Sequence, residues 1–567
     1  MKQLVQEFRS GRVYLAEVPE PLLHDRGALV RTCNSVVSLG TEKAVMEFAA
    51  ASILGKAIER PDLVKQVARK LRNEGIVSTY RAAAARLDNP LPLGYSASGV
   101  VMEVGREMHG FQVGDRVACG GGGYSCHAEV NYIPRNLLVR LPEDVSFEEG
   151  AFAALGAVAL QGVRLAELSI GERVAVIGLG VIGLLTVQIV KAAGCMVLAA
   201  DLCESRTKIA GELGADMVVV AGQGELEEAA LEFSKGRGMD AVIITAATKS
   251  NEPLEYAAAI SRLKGKVVAV GDVSLNVPRR AFYPKELELR VSMSYGPGRY
   301  DPDYEEKGID YPYPYVPFTE QRNMEAFLEL VASGKVDVER LITHRSPIDE
   351  AENLYKDILE NRGDFLGVVL TYEEVPQSKE PIRLDTRPVT TMKRKAVRIG
   401  LIGAGSFAKT IILPCLAKME DVELVGVSTK TGLSCRAVAD KYGFNYCTTR
   451  NEDILGDGDI DAVIIATRHN LHAGLVVEAL EADKHVFVEK PLATTEEDLK
   501  TIRDTYVNSD KVLMVGFNRR FAPFAQRAKR AFADSAGALS MLYRVNAGNI
   551  LKEHWTQDSE EGGGASS

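Results

Sequence analysis

The sequence predicts an α/β protein with two separate parallel sheets and a β-rich region ahead of the first. Two stretches predict the sheets: after residue 172, and again after residue 396, a short apolar run leads into a glycine-rich turn and then a helical segment. The β-rich region is predicted over residues 1–150, where short alternating runs are separated by Gly and Pro. A helical insertion, with helical patterning over Glu42–Glu59 and Pro61–Arg72, interrupts these runs.

Composition bounds the class of protein and its setting. A chain of 567 residues is too long for one core, and its 46% hydrophobic and 25% charged content is typical of soluble globular domains. The net charge of -10 argues against nucleic acid as a partner, and no apolar stretch has the length of a signal peptide core or a membrane span. Eight cysteines without a C-x-x-C pair predict reduced thiols in a cytoplasm.

The first glycine-rich turn has the spacing of a dinucleotide site. A strand predicted over Arg173–Ile177 is followed by G-x-G-x-x-G and by a helix over Leu184–Ala193. Glycines there allow a tight turn and the approach of a pyrophosphate, and a second strand ends at Asp201, whose carboxylate can accept from the ribose hydroxyls of NAD. The predicted NAD(H) site contains Gly178, Gly180, Val181, Ile182, Gly183, Asp201 and Arg206. The alternative is a structural turn with an unrelated surface Asp.

Three segments of the β-rich region carry a family resemblance: residues 27–42, residues 94–105 and the run Gly114-Asp-Arg-Val117. They resemble the GroES-like catalytic domain of the medium-chain dehydrogenase/reductases, the zinc alcohol dehydrogenase superfamily. The resemblance implies a GroES-like domain over residues 1–151 and 296–373, with a Rossmann domain over 152–295 between them.

The chain departs from this family at the positions of its zinc ligands. Leu39 stands where the family has Cys, Tyr95 stands where it has His, and residues 151–162 contain no Cys, His, Asp or Glu. A catalytic zinc needs about three protein ligands, and the group Cys119, Cys126 and His127 fits no ordinary zinc pattern. We therefore predict that no metal is bound; a zinc enzyme with displaced ligands is the alternative.

Without zinc, the reacting oxygen needs another proton donor. Thr41 matches the proton-relay hydroxyl of the family, and the Tyr95 phenol is expected in the same cleft. Both are predicted catalytic residues, although Tyr95 could instead fill the space of the missing metal. A Tyr- and Pro-rich loop from Ser292 to Tyr315 could stack on a sugar or nucleoside and use Arg299 for an anion, or could be structural.

A linker is predicted over residues 374–395, and a second dinucleotide pattern follows it. The strand Val397–Ile402 leads into G-x-G-x-x-A and then into a helix predicted over Leu413–Lys418. The next strand ends in Ser428-Thr429-Lys430 rather than in an acid. Lys430 could pair with a 2′-phosphate, so NAD(H) or NADP(H) is predicted at this site. Its turn consists of Gly403, Gly405, Ser406, Phe407 and Ala408.

Residues 396–519 resemble the glucose–fructose oxidoreductase/inositol dehydrogenase family (Gfo/Idh/MocA), through this turn, Ala466-Thr-Arg-His-Asn-Leu-His-Ala473 and Glu489-Lys-Pro491. The resemblance gives Lys490 a catalytic role in proton transfer and places Thr467, His472 and Glu489 at the cofactor. A structural role at a helix start is the alternative for His472. Residues 520–567 resemble an incomplete start of the α+β domain that follows in this family, with residues 539–545 as its first strand. We therefore expect the second unit not to run its family's reaction.

Fused pairs in this order resemble bacterial bi-domain oxidoreductases. We therefore expect a nicotinamide-dependent oxidoreductase that acts, mainly through residues 1–373, on an alcohol or carbonyl of a small-molecule substrate. Both resemblances imply a polyol, a sugar or a sugar nucleotide. We also expect a homo-oligomer. The alternative from another class is a non-catalytic dinucleotide-binding or scaffolding protein.

Overall fold

The computed structural model describes residues 1–8, 10–50, 90–221, 225–373, 380–384 and 396–533, with a few isolated positions beyond. These residues form two compact units. The first contains Met1–Ala16, Leu23–Ala50 and Leu91–Gln377, and the second contains Glu17–Leu22 and the described residues of Ala51–Pro90 and Ser378–Ser567. The predicted α/β fold class, a β-rich GroES-like region with a Rossmann sheet and a further Rossmann sheet, is confirmed.

The β-rich part of the first unit is organised around one long strand, Gly27–Val37. It pairs antiparallel with three strands, Ser96–Val104, Val130–Pro134 and Gly367–Thr371. The chain therefore returns, more than three hundred residues later, to complete this sheet. The spatial order is Ile342–Pro347, Gly367–Thr371, Gly27–Val37, Ser96–Val104, Arg116–Gly120 and Leu138–Arg140, with Val130–Pro134 also beside Gly27–Val37. A small second sheet has the order Val13–Glu17, Lys2–Gln6 and Leu91–Pro92.

The nucleotide-binding part of the first unit is a sheet of six parallel strands. In spatial order they are Met217–Val220, Met196–Asp201, Arg173–Ile177, Met239–Ile244, Ser261–Ala269 and Glu288–Val291. The central strands are apolar and buried over most of their length, because helices cover both faces of the sheet. The strand order reverses between Arg173–Ile177 and Met239–Ile244, which is where ligands bind in open α/β sheets.

Helices of the first unit pack around these sheets. Their bounds are Leu39–Ala50, Phe147–Gly150, Ala153–Ala166, Val181–Ala192, Glu204–Glu212, Glu225–Phe233, Glu252–Ile260, Arg279–Phe282, Pro302–Glu305, Glu320–Ala332 and Ala351–Leu359. Short 3-10 turns cover Arg135–Leu137, Tyr283–Lys285, Glu339–Leu341 and Ile348–Glu350. Within the described residues of the whole chain, no helix combines the length and hydrophobicity that crossing a bilayer requires.

The second unit repeats the same sheet plan. Its strands lie in the order Ile382–Arg383, Tyr446–Thr448, Val422–Ser428, Val397–Ile402, Ala462–Ile465, His485–Glu489 and Leu513–Gly516. All pairs are parallel except the one at the edge, where Ile382–Arg383 runs antiparallel to Tyr446–Thr448. Its helices are Leu413–Leu416, Gly432–Tyr442, Asn451–Leu455, His472–Glu481, Glu496–Val507 and Pro523–Ala531, with 3-10 turns at His469–Leu471 and Asn518–Phe521.

Two local features of the second unit differ from the sequence prediction. The segment predicted as a linker contributes the edge strand Ile382–Arg383, which pairs through its backbone and so leaves little pattern in the side chains. The helix predicted from Leu413 is preceded by a π-helical turn, Ala408–Ile412. Pro414 explains that turn, because it has no N–H to continue the usual helical hydrogen bonds.

Other predicted elements lie partly outside the described residues. Of the helical insertion predicted between residues 42 and 72, the structure describes the helix Leu39–Ala50. The strand predicted over residues 539–545 includes undescribed positions, and its described residues 540–542 and 544 are not in a strand.

Candidate active site

The first glycine-rich turn is closed toward the protein and open on its other side. Gly178 has a φ of +97°, and a Cβ there would lie 2.5 Å from the backbone nitrogen of Ala246. A Cβ on Gly183 would lie 1.9 Å from the Gly178 carbonyl oxygen, so the helix Val181–Ala192 approaches the strand more closely than any side chain allows. A Cβ on Gly180 would meet nothing within 4 Å. This geometry suits a pyrophosphate at a helix N-terminus.

Asp201 lies beside this turn, at the end of the neighbouring strand. The Leu179 N–H donates to its Oδ2 at 2.6 Å, and the Cys203 N–H donates to its Oδ1 at 2.9 Å. Each carboxylate oxygen keeps a second lone pair for a ribose hydroxyl. Arg206, in the helix Glu204–Glu212, has a buried Nε without a hydrogen-bond partner among the described residues. A buried unsatisfied donor five residues after Asp201 fits a cofactor group at this end of the site.

Tyr95 packs against a core cluster that contains residues of both the β-rich sheet and the six-stranded sheet of the first unit. The neighbouring Ser96 hydroxyl donates to the Ala151 carbonyl at 2.5 Å and accepts from the Ala154 N–H at 3.2 Å, so it fixes the start of the helix Ala153–Ala166. That helix packs on the six-stranded sheet. Tyr95 and the part-exposed Val181 and Ile182, which begin the helix after the glycine-rich turn, pack against the same core cluster.

The Tyr95 hydroxyl is held by two other hydroxyls. It donates to Ser38 Oγ at 2.9 Å, and the Thr41 hydroxyl also hydrogen-bonds to it. Burial raises the pKa of Tyr95 and the Glu42 charge adds to this, whereas the bonds from Ser38 and Thr41 oppose it. The phenol is therefore neutral at pH 7, and Thr41 is exposed to solvent. The structure brings together both catalytic residues that the sequence predicts for this unit and adds Ser38.

The positions that match zinc ligands of the resembling family carry no ligand side chains. Leu39 begins the helix Leu39–Ala50, and residues 151–162 lie mostly in the helix Ala153–Ala166. Among the residues that the structure describes, no three His, Cys, Asp or Glu side chains are arranged as a metal site. Burial raises the pKa of the Cys126 thiol to about 12 and that of Cys119 further.

A buried network around Glu42 was not foreseen from the sequence. His127 Nε2 lies 3.3 Å from both Glu42 oxygens, and its Nδ1 lies 2.7 Å from Ser35 Oγ. The hydroxyls of Tyr355 and Tyr372 hydrogen-bond to Glu42 and Ser35 respectively. The signals in the sequence were weak, because Glu42 only completes the Gly-Thr-Glu triplet and His127 only follows a cysteine.

The Tyr- and Pro-rich loop and the helix that follows it contain buried polar groups without hydrogen-bond partners among the described residues, and Tyr295 of the loop faces Tyr95. Buried oxygen or nitrogen atoms of Ser292, Tyr295, Arg299 and Glu320 have no hydrogen-bond partner in the described structure. Arg299 Nη1 pairs with Glu305 Oε1 at 2.5 Å, so its charge is already balanced by a carboxylate. An anion is therefore a poorer ligand for Arg299 than the sequence suggested.

The second glycine-rich turn has the same design as the first. Gly403 has a φ of +87°, and its Cβ would lie 2.8 Å from the Ala466 carbonyl group, whereas a Cβ on Gly405 would meet nothing within 4 Å. Ser406 and Phe407 are exposed beside it, and Ala408 is buried. Ser428 is buried and bonds to Asn451 at 2.8 Å, so of the three residues that end the next strand Lys430 is the exposed one.

His472 connects the two loops that follow neighbouring strands of the second unit. It is fully buried, with Nδ1 at 2.6 Å from the Pro491 carbonyl and Nε2 at 3.3 Å from the Thr467 carbonyl. Burial lowers its pKa. These contacts favour the structural role for His472. Lys490 is exposed, and Glu489 Oε1 accepts from the Asn518 side chain at 3.4 Å.

Sequence profiles of known families match three segments of the chain. Residues 62–223 match the alcohol dehydrogenase GroES-like domain, and residues 181–307 match the zinc-binding dehydrogenases. Residues 397–517 match an oxidoreductase family with an NAD-binding Rossmann fold.

Individual proteins give the same picture for the first unit. The chain is 28% identical over 309 residues to a probable D-xylulose reductase A of Aspergillus terreus (strain NIH 2624 / FGSC A1156), covering 48% of this chain and 80% of the relative. It is 28% identical over 309 residues to a sorbitol dehydrogenase of Arabidopsis thaliana, covering 49% of this chain and 78% of the relative. Galactitol-1-phosphate dehydrogenase from Escherichia coli has the same fold, with a TM-score of 0.51 and 21% identity over 65% of this chain and 100% of that one.

The glycine-rich turns and these matches agree on the class of protein. The chain is an NAD(P)-dependent oxidoreductase that joins an alcohol dehydrogenase-like unit to a second NAD-binding Rossmann unit.

Proposed function

We propose that the first unit transfers hydride to or from an alcohol or carbonyl of a polyol, sugar or sugar nucleotide, without a catalytic zinc. The polyol class is supported by the similarity to proteins named D-xylulose reductase and sorbitol dehydrogenase. We assign the reaction to a catalytic domain of residues 1–151 and 296–373 and a Rossmann domain of residues 152–295. The second unit comprises a Rossmann domain of residues 396–519, to which the preceding segment 374–395 adds the edge strand Ile382–Arg383.

The proposed reaction divides between the cofactor and the side chains around Tyr95. A bound nicotinamide supplies or accepts the hydride. In the direction of reduction, Tyr95 donates its phenolic proton to the substrate oxygen, and in oxidation it takes that proton back. The Ser38 and Thr41 hydroxyls return a proton to the phenolate, since Thr41 is exposed to solvent.

The observation that carries this proposal is the hydroxyl cluster that replaces the metal ligands. Tyr95 matches a position where the family has a ligand, and its hydroxyl is 2.9 Å from Ser38 Oγ. A metal-free site needs a neutral acid of this kind to stabilise the developing charge on the substrate oxygen.

The two cofactor sites are proposed to differ in their choice of nucleotide. Asp201 would accept from both ribose hydroxyls of NAD(H) and would repel a 2′-phosphate, so the first site is assigned to NAD(H). The second site, with Lys430 in the corresponding region, is assigned to NAD(H) or NADP(H). Lys490 holds the position that transfers protons in the family's reaction, a reaction that we propose this second unit does not run.

Replacement of Tyr95 by Phe tests the proposal, because it removes the hydroxyl and keeps the ring. Turnover of the full chain would be followed as NADH production with sorbitol, xylitol and 2,3-butanediol. We expect kcat to fall about a hundredfold or more while NADH affinity, measured by fluorescence, stays unchanged. Tyr283→Phe, at a phenol that is 70% exposed and lies outside the Tyr- and Pro-rich loop, is the matched control and should keep wild-type turnover. Unchanged turnover by Tyr95→Phe would refute the proposal.

The setting of the protein is also a proposal. We propose a cytoplasmic location, supported by eight cysteines that are all free thiols. We also propose a homo-oligomer, supported by the strand Glu288–Val291 at the edge of its sheet and the exposed Val291 and Met293 beside it. Sedimentation of the full chain checks the second point, and a monomer at micromolar concentration would contradict it.

A further inference from the structure

A buried carboxylate lies at the centre of the polar network near Tyr95. Glu42 is only 3% exposed. Its Oε1 accepts from the Ser38 backbone N–H at 2.9 Å, and its Oε2 accepts from the Tyr355 hydroxyl. His127 Nε2 lies 3.3 Å from both oxygens. Glu42 therefore has partners from three separate parts of the chain.

A second layer of contacts fixes the partners of Glu42. His127 is fully buried, and its Nδ1 lies 2.7 Å from Ser35 Oγ, which is in turn 2.7 Å from the Tyr372 hydroxyl. Ser35 belongs to the strand Gly27–Val37 and Tyr372 directly follows the strand Gly367–Thr371 paired with it. The imidazole is thus oriented by the central strands of the sheet and cannot turn away from Glu42.

Burying this carboxylate has an energetic cost that packing alone does not explain. An ionised carboxylate loses several kcal/mol of hydration when it leaves water, and its partners only offset that loss. Apolar side chains of the same volume would fill the place at lower cost. The polar network is therefore expected to serve the adjacent site rather than stability.

The link to the site runs through Ser38. The Glu42 N–H donates to the Ser38 carbonyl at 2.8 Å, and the Ser38 N–H donates to the Glu42 side chain, so residue 42 holds both backbone groups of Ser38. The Ser38 hydroxyl accepts the hydrogen bond from Tyr95. Thr41, which also bonds to Tyr95, directly precedes Glu42. The orientation of the phenol thus depends on where Glu42 is held.

We propose that Glu42 is a positioning residue for the Tyr95 phenol and that His127 and Tyr355 hold its carboxylate in place. This inference rests on the proposed function, in which Tyr95 passes the proton. Glu42 also affects Tyr95 through its charge, because burial is the main cause of the raised Tyr95 pKa and the Glu42 charge raises it further.

Other titratable groups also face Tyr95 and Glu42 and bear on the pH dependence. Tyr295 faces Tyr95 from the loop that follows the last strand of the six-stranded sheet. The groups that face Glu42 are His127, Tyr355, Cys126 and Tyr372. The variants below leave all of these side chains in place except where one is named as the change.

Glu42→Gln removes the charge and keeps an oxygen that can accept from the Ser38 N–H. In the full chain, we expect kcat for carbonyl reduction to fall about tenfold, part of the contribution of a well-placed acid, with little change in KM or NADH affinity. We also expect the alkaline limb of the kcat profile to move to lower pH, because the pKa of Tyr95 drops without the neighbouring charge. A purely structural role would not move that limb.

Two further variants separate position from charge. Glu42→Asp and Tyr355→Phe both keep the carboxylate charge but disturb its position, so they should lower kcat and leave the alkaline limb where it is. These variants decide the matter if Glu42→Gln fails to bind NADH normally. Wild-type kcat and an unmoved limb in Glu42→Gln, with Tyr95→Phe inactive, would overturn this inference alone. Wild-type turnover by Tyr95→Phe would instead overturn the proposed function.

Discussion

The buried carboxyl group of Glu320 should make the stability of the first unit depend on pH. It lies at the start of the helix Glu320–Ala332, is fully buried, and neither of its carboxyl oxygens has a hydrogen-bond partner among the described residues. Burial, followed by the neighbouring Glu305 charge, raises its pKa from 4.5 to about 9, and Arg299 opposes the rise. Glu320 is therefore protonated at neutral pH. Replacing it with Gln keeps the shape and removes the ionisation.

The sign follows from which state binds the proton more tightly. Because the pKa is about 9 in the folded chain and about 4.5 in the unfolded one, the folded state holds the proton between these values and stability falls as pH rises through that window. At about 1.4 kcal/mol per pH unit the full loss is ~6 kcal/mol, an upper limit that water penetration reduces. We expect Glu320→Gln to be near wild type at pH 5 and more stable by about 2–4 kcal/mol at pH 9.

Scanning calorimetry of the full chain between pH 5 and pH 9 measures this difference, since the transition of the first unit can be recognised as the one that added NADH shifts and added NADPH does not. The Tm of the variant should exceed that of the wild type by several degrees at the alkaline end and by almost nothing at the acid end. Glu329→Gln, on the exposed side of the same helix, is the matched control and should show no such trend. If the Tm difference between Glu320→Gln and wild type does not change with pH, Glu320 does not have a raised pKa in the folded chain.

Three further predictions concern the two nucleotide sites. Asp201→Asn should improve the affinity of the first site for NADPH relative to NADH by about tenfold, measured by fluorescence titration, and an unchanged preference would show that Asp201 does not read the ribose. Lys430→Ala should weaken NADP binding at the second site by about tenfold and leave NAD binding intact in calorimetric titrations of the full chain, so an equal loss of both would count against the assignment. Lys490→Ala should leave turnover by the whole protein near wild type, because Tyr95 serves the first unit; a fall of about a hundredfold would reveal a working second site.

Patterns local in the chain were predicted well. The strand Val397–Ile402 has its predicted bounds, and the helix predicted over Leu184–Ala193 is observed over Val181–Ala192. Apolar runs and helical periodicity act within a few residues, so they can be read directly from the sequence. The roles of Gly178 and Gly183 could also be predicted. Gly178 has a positive φ, and Gly183 lies too close to the backbone of Gly178 for any side chain, so few other residues are possible at either position.

Features that depend on distant residues were not predicted. The Glu42 network joins positions 35, 42, 127, 355 and 372, and no spacing rule connects them before the sheet has formed. The edge strand Ile382–Arg383 was missed because two residues that pair through the backbone carry no periodic pattern. The pairing of Arg299 with Glu305 was also missed, because it is the fold of the loop that places these two side chains opposite each other.

The zinc content of active enzyme shows directly whether hydride transfer proceeds without a catalytic zinc. The full chain would be purified without chelator, its turnover measured, and its zinc determined by elemental analysis on the same sample. Leu39 and Tyr95 stand at the positions of zinc ligands in the resembling family, and residues 151–162 contain no ligand side chain. We therefore expect far less than one zinc per active chain and no loss of activity on treatment with a chelator. One zinc per chain, with activity lost on its removal, would instead show that hydride transfer depends on a catalytic zinc.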